Sequence, residues 1–208
     1  MNKAELYLQI RDDIRRRIWP QGQPLKQQAL ADYYQTSRIP VRDALARLAA
    51  EGWLVSAGKA SLMIPPLSAA EAQELCLIRQ QLEPLALRLA IPQLNFAILG
   101  AAEDCLRAAA QAGTDPLRHG ELNWQFHQLL YQPCAMPTLL QLLQQLHLKV
   151  EMYLGFQQVS LGYAAQSAAE HQQLLQLLRD DQPELAVALL QRHIAEAAAA
   201  LQQHLALV

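Results

Sequence analysis

The chain has 208 residues, enough for one large domain or two small ones, and a formal net charge of −2. Leucine (40) and alanine (34) make up more than a third of it, whereas Val, Ile and Thr together number 18, a balance that favours helices over pleated sheet. Apolar residues account for 52%, which excludes a disordered chain, and no apolar run approaches the ~20 residues of a membrane span. The chain shows no secretory signal pattern, and its three widely spaced cysteines are interpreted as reduced thiols. Both observations predict a cytoplasmic protein.

Three helices and one hairpin are predicted in the first 65 residues. The first helix covers 4–19, the second 27–34 and the third 38–51, with Ser37 as N-cap of the third and Gly52 at its end. The apolar stripe of the first helix consists of Leu6, Ile10, Ile14 and Ile18. Two short strands are predicted around Gly58 and Lys59. This order of elements predicts a winged helix-turn-helix over 1–65.

Everything after Pro65 and Pro66, a stiff linker, is predicted to be helix and short turn. Proline and glycine separate the helices, and leucines three and four residues apart mark the faces that form a core. The predicted ranges are 68–91, bent near Pro84, 95–112, 116–132, 137–157, 165–180 and 183–205. The chain is therefore predicted to be mainly α, with an antiparallel six-helix bundle over 66–208.

Charge is divided unevenly between these two parts. Residues 1–60 carry ten Lys or Arg against six Asp or Glu, a net charge of +4, and residues 61–208 carry a net charge of −6. Such asymmetry is expected of a nucleic-acid-binding domain joined to a separate module. A small solvated domain can also be basic without binding anything, and charge alone leaves both interpretations open.

Candidate DNA-reading residues stand at the start of the third helix. Arg38 and Arg42 are four residues apart and therefore share one face. A recognition helix reads base edges in the major groove with its first residues, and arginine binds guanine through two hydrogen bonds. Ser37 and the free N–H groups of the helix start could hold a phosphate, and Lys59 could reach the DNA from the hairpin tip. The alternative for each basic residue is a solvated surface charge.

The segment 30–55, LADYYQTSRIPVRDALARLAAEGWLV, resembles the DNA-binding motif of the GntR family of bacterial transcription regulators. The resemblance departs at Ile39, where Thr or Ser is usual, and at Gln35, where glycine is usual. It implies a winged helix-turn-helix that binds double-stranded operator DNA. The DNA-binding residues that it implies are Ser37, Arg38, Ile39 and Arg42.

Residues 68–205 resemble the all-helical effector domain, the FCD-like domain, of the FadR-type subgroup of that family. The resemblance rests on three segments: LIRQQLEPLALRLA, NWQFHQLLYQPCAMPTL and EHQQLLQLLRDDQPELAVALLQRHI. Many members bind a divalent metal in this domain. The ligands that the resemblance implies here are Asn123, in place of the usual Asp, His127, His171 and His193.

The residue pattern supports a metal site independently of that resemblance. Asn123 and His127 are four residues apart on one helix, and His171 and His193 each share a face with leucines. Three imidazoles on apolar faces need polar partners inside the bundle, and one ion such as Zn²⁺ or Ni²⁺ satisfies all three. The alternative is that each histidine is a core residue hydrogen-bonded to a neighbour.

Arg79 is a candidate anchor for the carboxylate of a small organic acid, since a guanidinium holds a carboxylate with two hydrogen bonds. Its alternative role is an ion pair with Glu83, one helical turn away. Further candidates for the same cavity are Trp124, Tyr153 and Gln172. The remaining histidines, His119, His147 and His204, are interpreted as structural or solvated.

These observations together predict a ligand-responsive transcription regulator, homodimeric on a pseudo-palindromic operator, whose effector and DNA affinities are coupled. One alternative is a metal-dependent helical hydrolase. It lacks a convincing general base, because Glu121 and Glu170 are expected on other helix faces than the histidines. A second alternative is a plain metal sensor without an organic effector. No membrane association is predicted.

Overall fold

The chain forms two compact units, Met1–Leu67 and Ser68–Val208, in a computed structural model. The structure describes residues 2–58, 61–113, 115–160 and 163–205, and within these ranges the side chains of 116, 151–160, 163, 164 and 203–205 lie outside the description. The predicted fold class is confirmed. In the described ranges the first unit is a winged helix-turn-helix, the second a six-helix bundle, and the chain is mainly α.

The described part of the first unit contains three helices and a two-stranded antiparallel sheet. The helices are α1, Lys3–Arg15, α2, Gln27–Tyr33, and α3, Arg38–Ala50, and the strands are β1, Val55–Ser56, and β2, Leu62–Met63. Gly52 follows α3 with a φ of 85°, a left-handed conformation that glycine adopts without strain. The domain core is made of large apolar side chains from all three helices and the strand segments, including Leu6, Ile10, Leu30, Val41, Leu45, Leu48, Trp53 and Ile64.

Helix α1 ends four residues earlier than its apolar stripe predicts. Arg17 has a φ of 59°, and the N–H groups of Arg17 and Ile18 donate to the carbonyls of Ile14 and Asp13, which closes the helix with a left-handed cap. Ile18 is consequently 48% exposed, although the three earlier residues of the stripe are buried. The prediction that Ile18 shares the buried stripe is wrong, because the chain turns away before that residue.

A three-residue cluster ties α1 to the end of α3. Tyr7 donates its hydroxyl to the Glu51 carboxylate, and Arg47 donates its Nε–H to the same carboxylate at 2.9 Å. The Arg47 guanidinium also lies 3.7 Å from the centre of the Tyr7 ring, a cation–π contact. These contacts hold α3 in a defined orientation against α1.

Within its described residues, the second unit contains six α-helices in the predicted order. They are α4, Ala69–Ala90, α5, Phe96–Gln111, α6, Pro116–Tyr131, α7, Pro137–Ser160, α8, Tyr163–Arg179, and α9, Pro183–Leu205. Side chains of Ser68, Asn95 and Asp115 accept N–H bonds from the first turns of α4, α5 and α6, which satisfies groups that have no partner inside a helix. Helix α4 packs against α9, α7 and α6, and α8 packs against α9. Buried apolar side chains from all six helices form one core. None of the helices within the described ranges combines the length and apolar character that a membrane span requires.

Candidate functional site

Three buried histidines meet inside the second unit. His127 comes from α6, His171 from α8 and His193 from α9, and they are 2%, 4% and 7% exposed. One ring nitrogen of each lies within 4.8 Å of those of the other two. Two nitrogens bound to one tetrahedral Zn²⁺ lie roughly 3.3 Å apart, because each Zn–N bond is about 2.0–2.1 Å long. The three imidazoles therefore need only small side-chain adjustments to share one ion.

Hydrogen bonding selects which nitrogen of His127 faces this cluster. The Tyr131 hydroxyl donates to Glu83 Oε2 at 2.8 Å, and it therefore accepts from Nδ1–H of His127 at 3.1 Å. Burial, reinforced by the Glu83 charge, raises the pKa of Tyr131 well above its ordinary value, so the hydroxyl stays a donor. In this tautomer Nε2 of His127 carries a lone pair, and it faces Nε2 of His171 at 3.1 Å. Such outer hydrogen bonds are the usual means of orienting a metal-binding histidine.

A carboxylate orients the second histidine of the cluster in the same manner. Nδ1 of His193 lies 2.6 Å from Glu170 Oε2, and Gln166 donates to the other oxygen of that carboxylate at 3.0 Å. The expectation that Glu170 lies on a face away from the histidines is wrong, because its long side chain reaches from α8 to α9. Glu121 instead pairs with Arg118 at 3.4 Å.

The electrostatics of the cluster favour neutral imidazoles. Burial lowers the pKa of His127 and of His171 well below the ordinary value, and the charge of neighbouring histidines lowers both further. Burial also lowers the pKa of His193, against the opposing effect of Glu170. Burial alone would raise the pKa of Glu170, but the hydrogen bonds from His193 and Gln166 outweigh it and lower that pKa. Neutral imidazole is the form that binds metal ions.

Arg79 forms an ion pair with Glu83, which is one of the two roles predicted for it from the sequence. Its Nε–H donates to Glu83 Oε1 at 2.5 Å, and the two side chains are 16% and 4% exposed. Burial by itself would lower the pKa of Arg79, but the Glu83 carboxylate outweighs it and raises that pKa. Glu83 thus joins Arg79 to Tyr131 and, through that hydroxyl, to His127. No sequence pattern marks Tyr131, and Glu83 stands out in the sequence only as a possible partner of Arg79.

A cavity of about 200 Å³ opens beside the histidines. Of the side chains predicted to line it, Arg79, Trp124 and Gln172 border it, and Tyr153 lies outside the described side chains. Asn123, predicted as a metal ligand, is also at its wall. His119 and His147 border it as well. The Trp124 and His147 rings stack, with centroids 4.1 Å apart and planes inclined by 9°, and His119 Nε2 lies 2.9 Å from the Gly113 carbonyl oxygen.

The start of α3 presents a basic surface in the first unit. Arg38 and Arg42 border one surface depression together with Lys26, which no sequence motif marks. The Arg42 side chain is 66% exposed and Ile39 is 60% exposed. Ser37 stands at the N-cap position of α3, but its side chain makes no capping hydrogen bond. Lys59, which was predicted to lie at the hairpin tip, lies outside the described residues.

Comparison with known proteins matches each of the two units to a protein-family model. The sequence model of the bacterial regulatory proteins of the gntR family matches residues 2–64, and that of the FCD domain matches residues 74–196. The chain belongs to the GntR family and carries an FCD domain. The regulator is 27% identical over 156 residues to the HTH-type transcriptional regulator McbR of Escherichia coli, 72% of this chain and 71% of McbR. It is 30% identical over 131 residues to the uncharacterized HTH-type transcriptional regulator YdhC of Bacillus subtilis, which is 60% of this chain and 58% of YdhC.

Solved structures agree with this assignment. A GntR-family regulator from Pseudomonas syringae pv. tomato is 32% identical, with a TM-score of 0.60, over 98% of this chain and 85% of that one. The structure of E. coli McbR has the same fold, with a TM-score of 0.77 at 24% identity over 96% of this chain and 98% of that one. The regulator is therefore a DNA-binding transcription factor with an effector domain and not an enzyme, which removes the hydrolase alternative.

Proposed function

We propose that this regulator holds one divalent metal ion in its helical domain, residues 66–208, and changes its affinity for operator DNA when a small organic acid binds beside that ion. The observation that carries the proposal is the meeting of three buried imidazoles, with one ring nitrogen of each within 4.8 Å of those of the other two. Nδ1 of His127 contacts the Tyr131 hydroxyl and Nδ1 of His193 contacts the Glu170 carboxylate, and hydrogen bonds of this kind usually orient metal-binding histidines.

The donor set suits the softer divalent ions. Imidazole nitrogen binds Zn²⁺ and Ni²⁺ well, whereas Mg²⁺ and Ca²⁺ prefer oxygen. His127, His171 and His193 would supply three nitrogens, and Asn123, one helical turn before His127 at the cavity wall, would supply an amide oxygen or hold a water. The metal would supply positive charge that attracts an anion into the cavity.

The organic acid would meet that charge and the guanidinium of Arg79 at the same cavity. The Nε–H of Arg79 is engaged by Glu83, so a carboxylate would use the remaining guanidinium N–H groups. Trp124, Gln172 and Tyr153 would complete the wall. A volume of about 200 Å³ favours a small acid over a large ligand.

The DNA-binding domain, residues 1–65, would read the operator with the first turns of α3. Arg38 and Arg42 would contact base edges, Ile39 would lie against the groove, and Ser37 and Lys59 would contact the backbone. Two copies would bind a pseudo-palindromic site as a homodimer in the cytoplasm. Effector and DNA affinities would then change each other by the same factor.

Metal content and operator affinity test the proposal on the full chain. The protein is purified without an affinity tag and then refilled with Zn²⁺ or Ni²⁺, and we expect about one metal ion per chain. His171→Ala should lose this ion, and the control variant His119→Ala should keep it. The substitution His119→Ala removes an imidazole that borders the same cavity but does not belong to the histidine cluster. Substoichiometric metal in every condition would make the three histidines core residues.

Fluorescence anisotropy with an operator selected in vitro then measures the response. The affinity is expected to change when a panel of small carboxylic acids is added to the metal-loaded protein, and not in His171→Ala. A change that metal alone produces, with no effect of any acid, would instead establish the plain metal sensor.

A further inference from the structure

One exposed face of α4 carries residues that are spaced symmetrically about a central glutamine, with a leucine on each side and opposite charges at the two ends. Five exposed residues follow one another at intervals of three, four, four and three: Glu74, Leu77, Gln81, Leu85 and Arg88. At 3.6 residues per turn these positions form one stripe along the helix. Leu77 and Leu85 are 56% and 43% exposed, so the stripe leaves large apolar side chains in contact with water.

We infer that a second copy of this chain docks on this stripe, with the two α4 helices antiparallel and crossing at Gln81. This inference rests on the homodimer of the proposed function and assigns its surface. A two-fold axis at Gln81 brings Leu77 against Leu85 of the partner subunit, and the same contact forms a second time by symmetry. It also brings Glu74 against Arg88 of the partner subunit, while the two Gln81 amides face each other.

Charge selects the antiparallel direction. A parallel pair of these helices would place Glu74 against its own copy and Arg88 against its own copy, and like charges at such positions repel. The antiparallel pair joins opposite charges at both ends of the stripe. Arg88 already contacts Glu184 at 3.2 Å, but its side chain is 55% exposed and can be shared between the two carboxylates.

The surroundings of the stripe suit a helix from a second copy. A groove between α4 and α7 adjoins it, with apolar side chains that include Ile78, Leu82 and Leu142, and Leu142 is 45% exposed. Helix α4 begins twelve residues before Gln81, so at about 1.5 Å per residue the two starts of α4 would lie roughly 36 Å apart. That separation is comparable to the ~34–36 Å between half-sites one DNA turn apart.

Disulfide trapping in the full chain tests the register. Gln81→Cys places a thiol beside its own copy on the two-fold axis, and we expect nearly complete covalent dimer under mild oxidation. The matched variant Gln73→Cys, exposed on the same helix, faces position 89 of the partner and should remain uncrosslinked. The native cysteines are buried and should not compete. Crosslinking of both variants would establish a parallel pair, and crosslinking of neither would place the contact elsewhere; either result overturns the inference.

Charge reversal gives an independent measurement by sedimentation. Glu74→Arg or Arg88→Glu creates two like-charge contacts, so each should weaken dimerisation about tenfold or more, and the double variant should restore it. Phe96→Glu, at a 92% exposed apolar position on α5, is the control and should leave dimerisation unchanged. A wild-type chain that sediments as a 23.2 kDa monomer, free and on operator DNA, would remove the homodimer itself. A wild-type dimer that both single variants leave intact would overturn only the assignment of this surface.

Discussion

Tyr131 is the buried junction between α4 and the histidine cluster, and Tyr131→Phe tests how that cluster is held. Its side chain is 0% exposed, and its hydroxyl donates to Glu83 and accepts from His127. Phenylalanine keeps the ring and its packing, because the change removes one oxygen atom. The substitution therefore isolates the two hydrogen bonds.

The expected loss of stability follows from the groups left behind. A carboxylate oxygen of Glu83 and the Nδ1–H of His127 would remain buried without their partner, and an unsatisfied buried group costs about 1–3 kcal/mol. Glu83 keeps its bond to Arg79, which limits its share. We expect the free energy of unfolding of the metal-free protein to fall by about 2–4 kcal/mol. We also expect the affinity for Zn²⁺ to fall roughly 10–100-fold, because the tautomer of His127 is no longer selected.

Two measurements on the full chain check these values. Urea unfolding followed by far-ultraviolet circular dichroism after chelation gives the free energy, and competition with a chromophoric chelator gives the affinity for Zn²⁺. Tyr33→Phe, a 55% exposed tyrosine of the first unit, is the matched control and should change neither value. If Tyr131→Phe unfolds like the wild type and binds Zn²⁺ with the same affinity, the Tyr131 hydroxyl does not orient His127.

Three further predictions concern DNA, metal and pH. Arg38→Ala or Arg42→Ala should cost about 1–3 kcal/mol on a selected operator and relax base preference in anisotropy titrations; equal weakening on all sequences would assign these residues to phosphate contacts. Asn123→Asp should tighten metal binding in chelator competition because it adds a charged oxygen ligand, and an unchanged affinity would exclude this position from the ligand set. The free energy of unfolding of the metal-free protein should fall as the pH falls below about 6.5, by up to ~1.4 kcal/mol per pH unit for each histidine. The reason is that burial lowers the pKa values of His127 and His171, so the unfolded chain takes up protons that the folded chain does not. Denaturation midpoints that are constant from about pH 7 to 5 would contradict this.

The sequence predicted the helices because their signals are local. Apolar residues at helical spacing, prolines at helix starts and glycines at helix ends act within a few residues, and the observed order of elements agrees with them. The end of α1 differs from the prediction because no local signal marks it. Nothing in the pattern marks Arg17 as left-handed, since a residue other than glycine adopts that conformation only under the influence of its surroundings.

Local patterns in the sequence are sufficient to predict the fold class, the GntR motif at the start of α3 and the three histidines on apolar helix faces. The way in which the histidines are held depends on contacts between distant parts of the chain. Glu83 and Tyr131 are 48 positions apart, and Glu170 and His193 are 23 apart on different helices. Helical periodicity places a side chain on a face of its own helix, but contacts between helices depend on how α4, α6, α8 and α9 pack together. The hydrogen bonds that select the imidazole tautomers arise from that packing, and no spacing within one helix could reveal them.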